Sequence, residues 1–163
     1  MLSVLFLACA AKVSDSANAT LSDEDAQIAA EIWNDIQGFE DNWTEPDLWQ
    51  GIQPSIDGTH GAYVQIWADA AALEAINNGT EVPDGGTIVK CGFENESGSP
   101  VGESGHALTA MRKIDGYDPD NQDWFWVRFD GQTGEVDRFA GAVPMCSGCH
   151  AADPNGDYIR ITE

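Results

Sequence analysis

Trp124-Phe125-Trp126-Val127-Arg128-Phe129 packs four aromatic rings and a β-branched valine into six residues. Such a run fits a pleated, half-buried surface and reads as a strand. Asp130-Gly131 and Gly134 follow it and predict a turn into a second strand over 135–139. Upstream, residues 106–113 read as a strand, with a turn over 116–122. Residues 87–93 read as another, with Ile88 and Lys90 on one face and Val89 and Cys91 on the other. The alternating, aromatic segment 62–67 is a further strand. Strands this close in sequence, joined by turns, predict an antiparallel sheet. A short final strand is expected over 158–161.

Helical signals lie in the N-terminal half. Ile28, Ile32, Ile36 and Phe39 recur at spacings of four, four and three, an apolar helix stripe. Thr20 or Ser22 is placed to cap it, and Asp23, Glu24 and Asp25 complement the helix dipole in its first turn. Gly38 and Pro46 limit its end, and a connection with Trp43 and Trp49 follows. Residues 69–78 are Ala-rich with Leu73 and Ile76, and Gly79 stands where a helix C′ glycine belongs. Pro83-Asp84-Gly85-Gly86 is a turn. The expected class is α+β: a mostly antiparallel sheet with an N-terminal helix and a short helix between early strands.

The 163 residues suit one domain. With 28 acidic and 7 basic side chains the formal net charge is −21. Nucleic-acid phosphates and anionic lipid surfaces would repel such a chain. A hydrophobic fraction of 42% supports a packed core. The acidic excess reads as a solvated surface. No apolar run is long enough to span a bilayer.

The short apolar run over 2–8 suits the h-region of an export leader, although no Lys or Arg precedes it. Two processing routes compete. Leu5-Phe6-Leu7-Ala8-Cys9 resembles a bacterial lipobox, with Cys9 lipidated and 12–18 as a tether. Alternatively, Ala17-Asn18-Ala19 is an A-x-A cleavage site. The lipoprotein route is preferred, which adds a lipid anchor. Either route makes residues 1–19 a leader and tether, residues 20–163 the domain, and the location periplasmic.

Cys146-Ser147-Gly148-Cys149-His150 is a CxxCH motif. Thiols at this spacing add to neighbouring vinyl groups of a haem, and the adjacent histidine is then held under the iron as proximal ligand. A thioredoxin-like pair would open a helix within a βαβ unit, whereas this motif follows a Gly/Pro loop. A zinc site would need a fourth ligand from His60, His106 or Cys91. One haem c, attached through Cys146 and Cys149 with His150 on the iron, is the expectation, and export agrees with it. For the sixth position, Met145 cannot reach the far side of the ring and Met111 reads as a core residue. His60 reads as a capping or hydrogen-bonding histidine, and His106 as a polar strand end. An open, five-coordinate iron is therefore expected, suited to small-molecule chemistry.

The order His60-Gly61-Ala62-Tyr63-Val64-Gln65-Ile66-Trp67, an Ala-rich helix, then Val82-Pro83-Asp84-Gly85-Gly86-Thr87-Ile88-Val89-Lys90 resembles the cytochrome P-460 family. So do Met111-Arg112-Lys113, Gly116-Tyr117-Asp118, Asp123-Trp124-Phe125-Trp126, CSGCH and Asp157-Tyr158, over about residues 55–162. The resemblance implies a mostly antiparallel fold, a homodimer and one haem c. Enzymatic members oxidise hydroxylamine to nitric and nitrous oxides and carry a lysine cross-linked to the porphyrin; electrons would leave to a periplasmic acceptor. The sister cytochrome c′-beta group lacks that link and binds nitric oxide and carbon monoxide. A simple electron-transfer cytochrome is a third reading. Lys90 is the position matched to the cross-linking lysine. The chain departs from the enzymatic pattern at Gln65, where an Arg is frequent on the strand lining the distal side. It also has no acid in the loop 139–144. Glu94, Glu96 and Glu103 are the candidate proton acceptors, and Phe93 the candidate distal cap. Cys91 is left over, expected as a buried thiol.

Overall fold

Helix α1 (Asp23–Asp35) begins where Ser22 accepts a hydrogen bond from the Asp25 amide at 3.0 Å. The computed structural model describes residues 21–56, 58–99, 107–152 and 157–159. Thr20, the leader and tether with Cys9, His106 and Glu103 lie outside them. The apolar stripe continues past α1 through Ile36 into α2 (Phe39–Asn42), after Gly38 breaks the helix with φ +72°. The two-residue β1 (Gln53–Pro54) then leads into β2 (Tyr63–Ala68). Asp69 caps α3 (Ala70–Asn78): one carboxylate oxygen accepts from the Ala72 amide and the other from the Thr87 amide, each at 2.8 Å. One side chain thus starts the helix and fixes it to β3 (Thr87–Phe93). Gly79 closes α3 in the left-handed region, as its sequence position predicts.

β4 (Ala107–Lys113), β5 (Trp124–Asp130) and β6 (Val136–Gly141) complete the sheet, and α4 (Pro144–His150) follows. The six strands lie in sequence order and every pair is antiparallel. This is the α+β class expected. β1, α2 and α4 had no separate sequence signal. The strand expected over 158–161 is absent at Tyr158 and Ile159, because Tyr158 takes φ +61°, which no strand residue adopts.

Register assigns the faces. Ile66, Lys90, Thr109 and Arg128 form one row across β2–β5, and Ile88, Met111 and Trp126 the next. These rows face α3 and α4, in a core with Ala72, Ile76, Trp124 and Ile159. The alternate residues Val89, Cys91, Phe93, Leu108, Phe125, Val127 and Phe129 face α1, packing on Ala29, Ile32 and Ile36. The β5–β6 register shifts between Val127 and Phe129, a bulge at Arg128 beside the cleft described next.

Candidate functional site

α4 is short and starts on Pro144, whose fixed φ suits the first helical turn. Cys146 and Cys149 are three apart and His150 is four from Cys146, so all three side chains lie on one helix face. That face meets the sheet, and all three line a cleft of about 730 Å³, part of it open to solvent. Burial, then the neighbouring Cys149, pushes the Cys146 thiol up to about 11. A redox-active CxxC needs a lowered thiol, so the thioredoxin-like alternative loses support. Among the described residues no group of three or more His, Cys, Asp or Glu converges as a metal site, and the zinc alternative gains none.

His150 is buried, and its Nδ1 donates to the Tyr158 carbonyl at 2.6 Å. A carbonyl only accepts, so the proton sits on Nδ1 and Nε2 carries the lone pair, the tautomer in which an imidazole can bind a metal through Nε2. Tyr158 is held for this task by its neighbour. The Asp157 carboxylate accepts from the Val82 amide at 2.7 Å and pairs with buried Lys113, while its carbonyl accepts from Trp124 Nε1 at 3.1 Å. The Trp126 ring stands edge-on to His150 with centroids 4.6 Å apart.

His60 enters the cleft from the loop before β2. Its carbonyl oxygen would lie 1.6 Å from any Cβ at position 92, so only Gly92 lets this loop lie on the sheet. Thr109 Oγ1 donates to the Lys90 carbonyl at 3.3 Å and lies 3.4 Å from His60 Nδ1. The His60 and His150 rings are 6.3 Å apart between centroids and nearly perpendicular, at 89°. A second space of about 330 Å³ shares His60, Lys90, Cys149 and His150 with the main cleft and extends to Trp49, Ile56 and Val64.

Lys90 lines both spaces, as its face predicts. Arg128 and Arg138 join it, so three of the chain's seven basic side chains gather here; no Asp or Glu is among the lining residues, but Arg128 is paired with Asp137 at 2.8 Å just outside them. In a protein of net charge −21 this is a local concentration of cations. The candidates at 65, 93, 94 and 96 are elsewhere. Gln65 pairs with Cys91 on the α1 side and donates to Glu45 Oε1 at 2.5 Å. Phe93 packs in the α1-side core, and Glu94 and Glu96 are exposed. Cys91 is buried there too, and burial followed by the charge of Glu40 pushes its thiol up to about 12. Thr109, Trp126, Arg128 and Gly92 were not singled out by sequence reasoning. Period-two alternation from Lys90 would have found the first three once the pairing register was known.

A haem is a flat apolar ring with an iron at its centre and carboxylates on one edge. The cleft offers apolar walls in Ile88, Met111, Trp126 and Phe139, the buried His150, two thiols, and the cations Lys90 and Arg138 for the carboxylates. The buried Trp126 Nε1 has no hydrogen-bond acceptor among the described residues, a donor left for a guest. These residues fit the group.

A comparison with curated proteins returns no match. The family model for cytochrome P460 matches residues 44–160, a span that holds the whole sheet, α3, α4 and every residue lining the cleft, and leaves out α1 and α2. That match covers most of the chain and agrees with a cleft shaped for haem: the chain belongs to the cytochrome P460 family, and haem is its cofactor.

Proposed function

We propose that the protein is an exported cytochrome with one haem c, bound through thioethers to Cys146 and Cys149, that oxidises hydroxylamine. The observation that carries this reading is the convergence of Cys146, Cys149, His150 and Lys90 on one cleft. When bound, the haem supplies a redox-active iron able to take a small nitrogen ligand. His150 offers Nε2 to that iron, its ring fixed by the Tyr158 carbonyl. Lys90 is the cross-linking candidate, reaching the cleft from β3 against α4. Arg138 offsets the carboxylate charge of the cofactor, and Arg128 is shared with Asp137, 2.8 Å away. Electrons leave to a periplasmic acceptor, and residues 1–19 direct export, with Cys9 as the lipid-anchor candidate. A homodimer belongs to the same proposal.

A second reading, binding of nitric oxide or carbon monoxide without turnover, is favoured by one observation. No Asp or Glu lines the cleft among the described residues, so the proton acceptor that hydroxylamine oxidation requires is not a carboxylate placed there. The test is to mature the wild type and Lys90→Ala with a haem c attachment system. Proteolysis with mass analysis should find the Lys90 peptide joined to the haem peptide, with a red-shifted ferrous Soret band and hydroxylamine turnover. Lys90→Ala should lose all three. An unlinked Lys90, with no turnover in either protein, would overturn the enzyme reading in favour of gas binding.

A further inference from the structure

We propose that the indole N–H of Trp126 donates to one of the two haem carboxylates, so that β5 and β6 receive the carboxylate edge of the cofactor. The inference rests on the reading above, in which haem occupies the cleft with His150 on its iron. It starts from an unmet donor. Trp126 is 4% exposed and lines the cleft, yet its Nε1 has no hydrogen-bond partner among the described residues. A buried N–H without an acceptor is costly and rare in a native structure. Two other tryptophans of the same core are satisfied. Trp124 Nε1 donates to the Asp157 carbonyl at 3.1 Å, and Trp49 Nε1 to the Val64 carbonyl at 3.3 Å.

The surroundings explain why no side chain answers Trp126. Its partners across the sheet are Met111 on β4 and Gly141 on β6. A thioether is a weak acceptor, and glycine has no side chain. The rings beside it are those of Trp124 and His150, with centroids 6.2 and 4.6 Å away. The chemistry of the guest then narrows the choice. The ring nitrogens of a haem bind its iron, so the carboxylate oxygens are the acceptors it brings. The other class of acceptor is a small ligand on the iron. Such a ligand binds on the face opposite His150, whereas Trp126 packs against His150 itself. That position favours a carboxylate.

The neighbouring strand agrees. Between the pairs Val127↔Ala140 and Phe129↔Val136, β5 advances two residues and β6 four. Arg138 and Phe139 are adjacent in sequence and would point to opposite faces of a regular strand. The bulge lets both line the cleft. An N–H donor on β5 and a guanidinium on β6 are thus brought to one cleft from adjacent strands, the pair of groups a carboxylate takes. Trp126 is a positioning residue: it fixes which edge of the haem faces β5 and β6.

The test uses the full chain matured with haem, with attachment verified by intact mass. Trp126→Phe keeps an aromatic ring beside His150 and removes the donor. The haem carboxylate-bending band in the resonance Raman spectrum should move in this variant, while the C–O stretch of the ferrous carbon monoxide adduct stays in place. A second measurement covers a Trp126→Phe chain that fails to mature. Exchange into deuterium oxide should shift the wild-type carboxylate band, and the shift should persist in Arg138→Gln. An unmoved carboxylate band in Trp126→Phe, with haem attached, would overturn the inference and leave the haem reading standing. A moved C–O stretch with an unmoved carboxylate band would assign the N–H to the iron ligand and overturn it equally. So would a wild-type band insensitive to deuterium, or one whose sensitivity is lost in Arg138→Gln. A wild-type chain without haem would overturn the haem c reading itself, and this inference with it.

Discussion

The two faces of the sheet are built from alternate residues of the same strands and have opposite fates. Toward α1, Val89, Cys91, Leu108, Phe125, Val127 and Phe129 close against Ile32 and Ile36. Toward α4, the intervening positions are Lys90, Thr109, Met111, Trp126 and Arg128, and the packing stops short, leaving a cleft. Pleat alternation alone separates a face that holds the fold from a face that holds a cofactor. The α1 face is joined to the rest by polar contacts at its margin: Arg112 to Asp35 at 2.9 Å, and the Tyr117 hydroxyl donating to Asp25 at 2.5 Å. The α4 face instead uses its polar groups to fix the ring of His150 through the Tyr158 carbonyl.

The largest effect should come from breaking the packed face. Phe125 is fully buried against Tyr117, with ring centroids 5.2 Å apart. Phe125→Ala should cost about 3–5 kcal/mol in denaturant unfolding. The folded fraction should keep the wild-type haem spectrum. A changed spectrum at unchanged stability would mean that the two faces are not independent.

Asp157→Ala sharpens the comparison from the other side. It strands the buried Lys113 ammonium and frees the segment that presents the Tyr158 carbonyl to His150. Breaking a buried pair costs about 3–5 kcal/mol, and the low end applies because Glu81 remains 3.4 Å from Lys113. Unlike Phe125→Ala, this variant should also alter the visible spectrum, since His150 loses the partner that fixes its tautomer. An unchanged spectrum would contradict the role given to Tyr158.

The smallest effect at neutral pH concerns Cys91. Its thiol is raised from 9.0 to about 12, so the native state keeps the proton after the unfolded chain has lost it. The stability this provides is complete below pH 9 and is lost as pH rises from there toward 12, by up to about 1.4 kcal/mol per pH unit. Cys91→Ala should show a shallower alkaline decline, read from unfolding midpoints between pH 8 and 11. The half-buried Tyr117 hydroxyl is raised as well, by desolvation and its hydrogen bond to Asp25, and titrates in both proteins, so the difference isolates Cys91. Equal slopes would mean that the thiol is solvated.

Sequence reading reached the elements that local pattern specifies. WFWVRF, the 87–93 strand and α3 with its closing glycine are each determined by residues near one another in the chain. The CSGCH motif is legible for the same reason, since its chemistry is set by a spacing of three. What escaped is what pairing register and long-range approach determine. Gln65 was expected on the cleft side, but alternation from Val64 and Ile66 turns it toward α1. Phe93 follows Cys91 to that same face. The approach of His60 to His150 spans 90 positions in the chain and depends on Gly92, a residue with no side chain to signal its task. The partner of His150 is a backbone carbonyl, which no residue type announces.

The central claim is that the α4 face of the sheet holds one covalently attached haem. The most direct measurement is the intact mass of the full chain produced with and without a haem c attachment system, followed by peptide mapping. The account predicts a gain of one haem that survives denaturation, located on the peptide containing Cys146, Cys149 and His150, and no such gain in a Cys146→Ser, Cys149→Ser variant. A chain that emerges without haem, or whose haem is lost on denaturation, would contradict it.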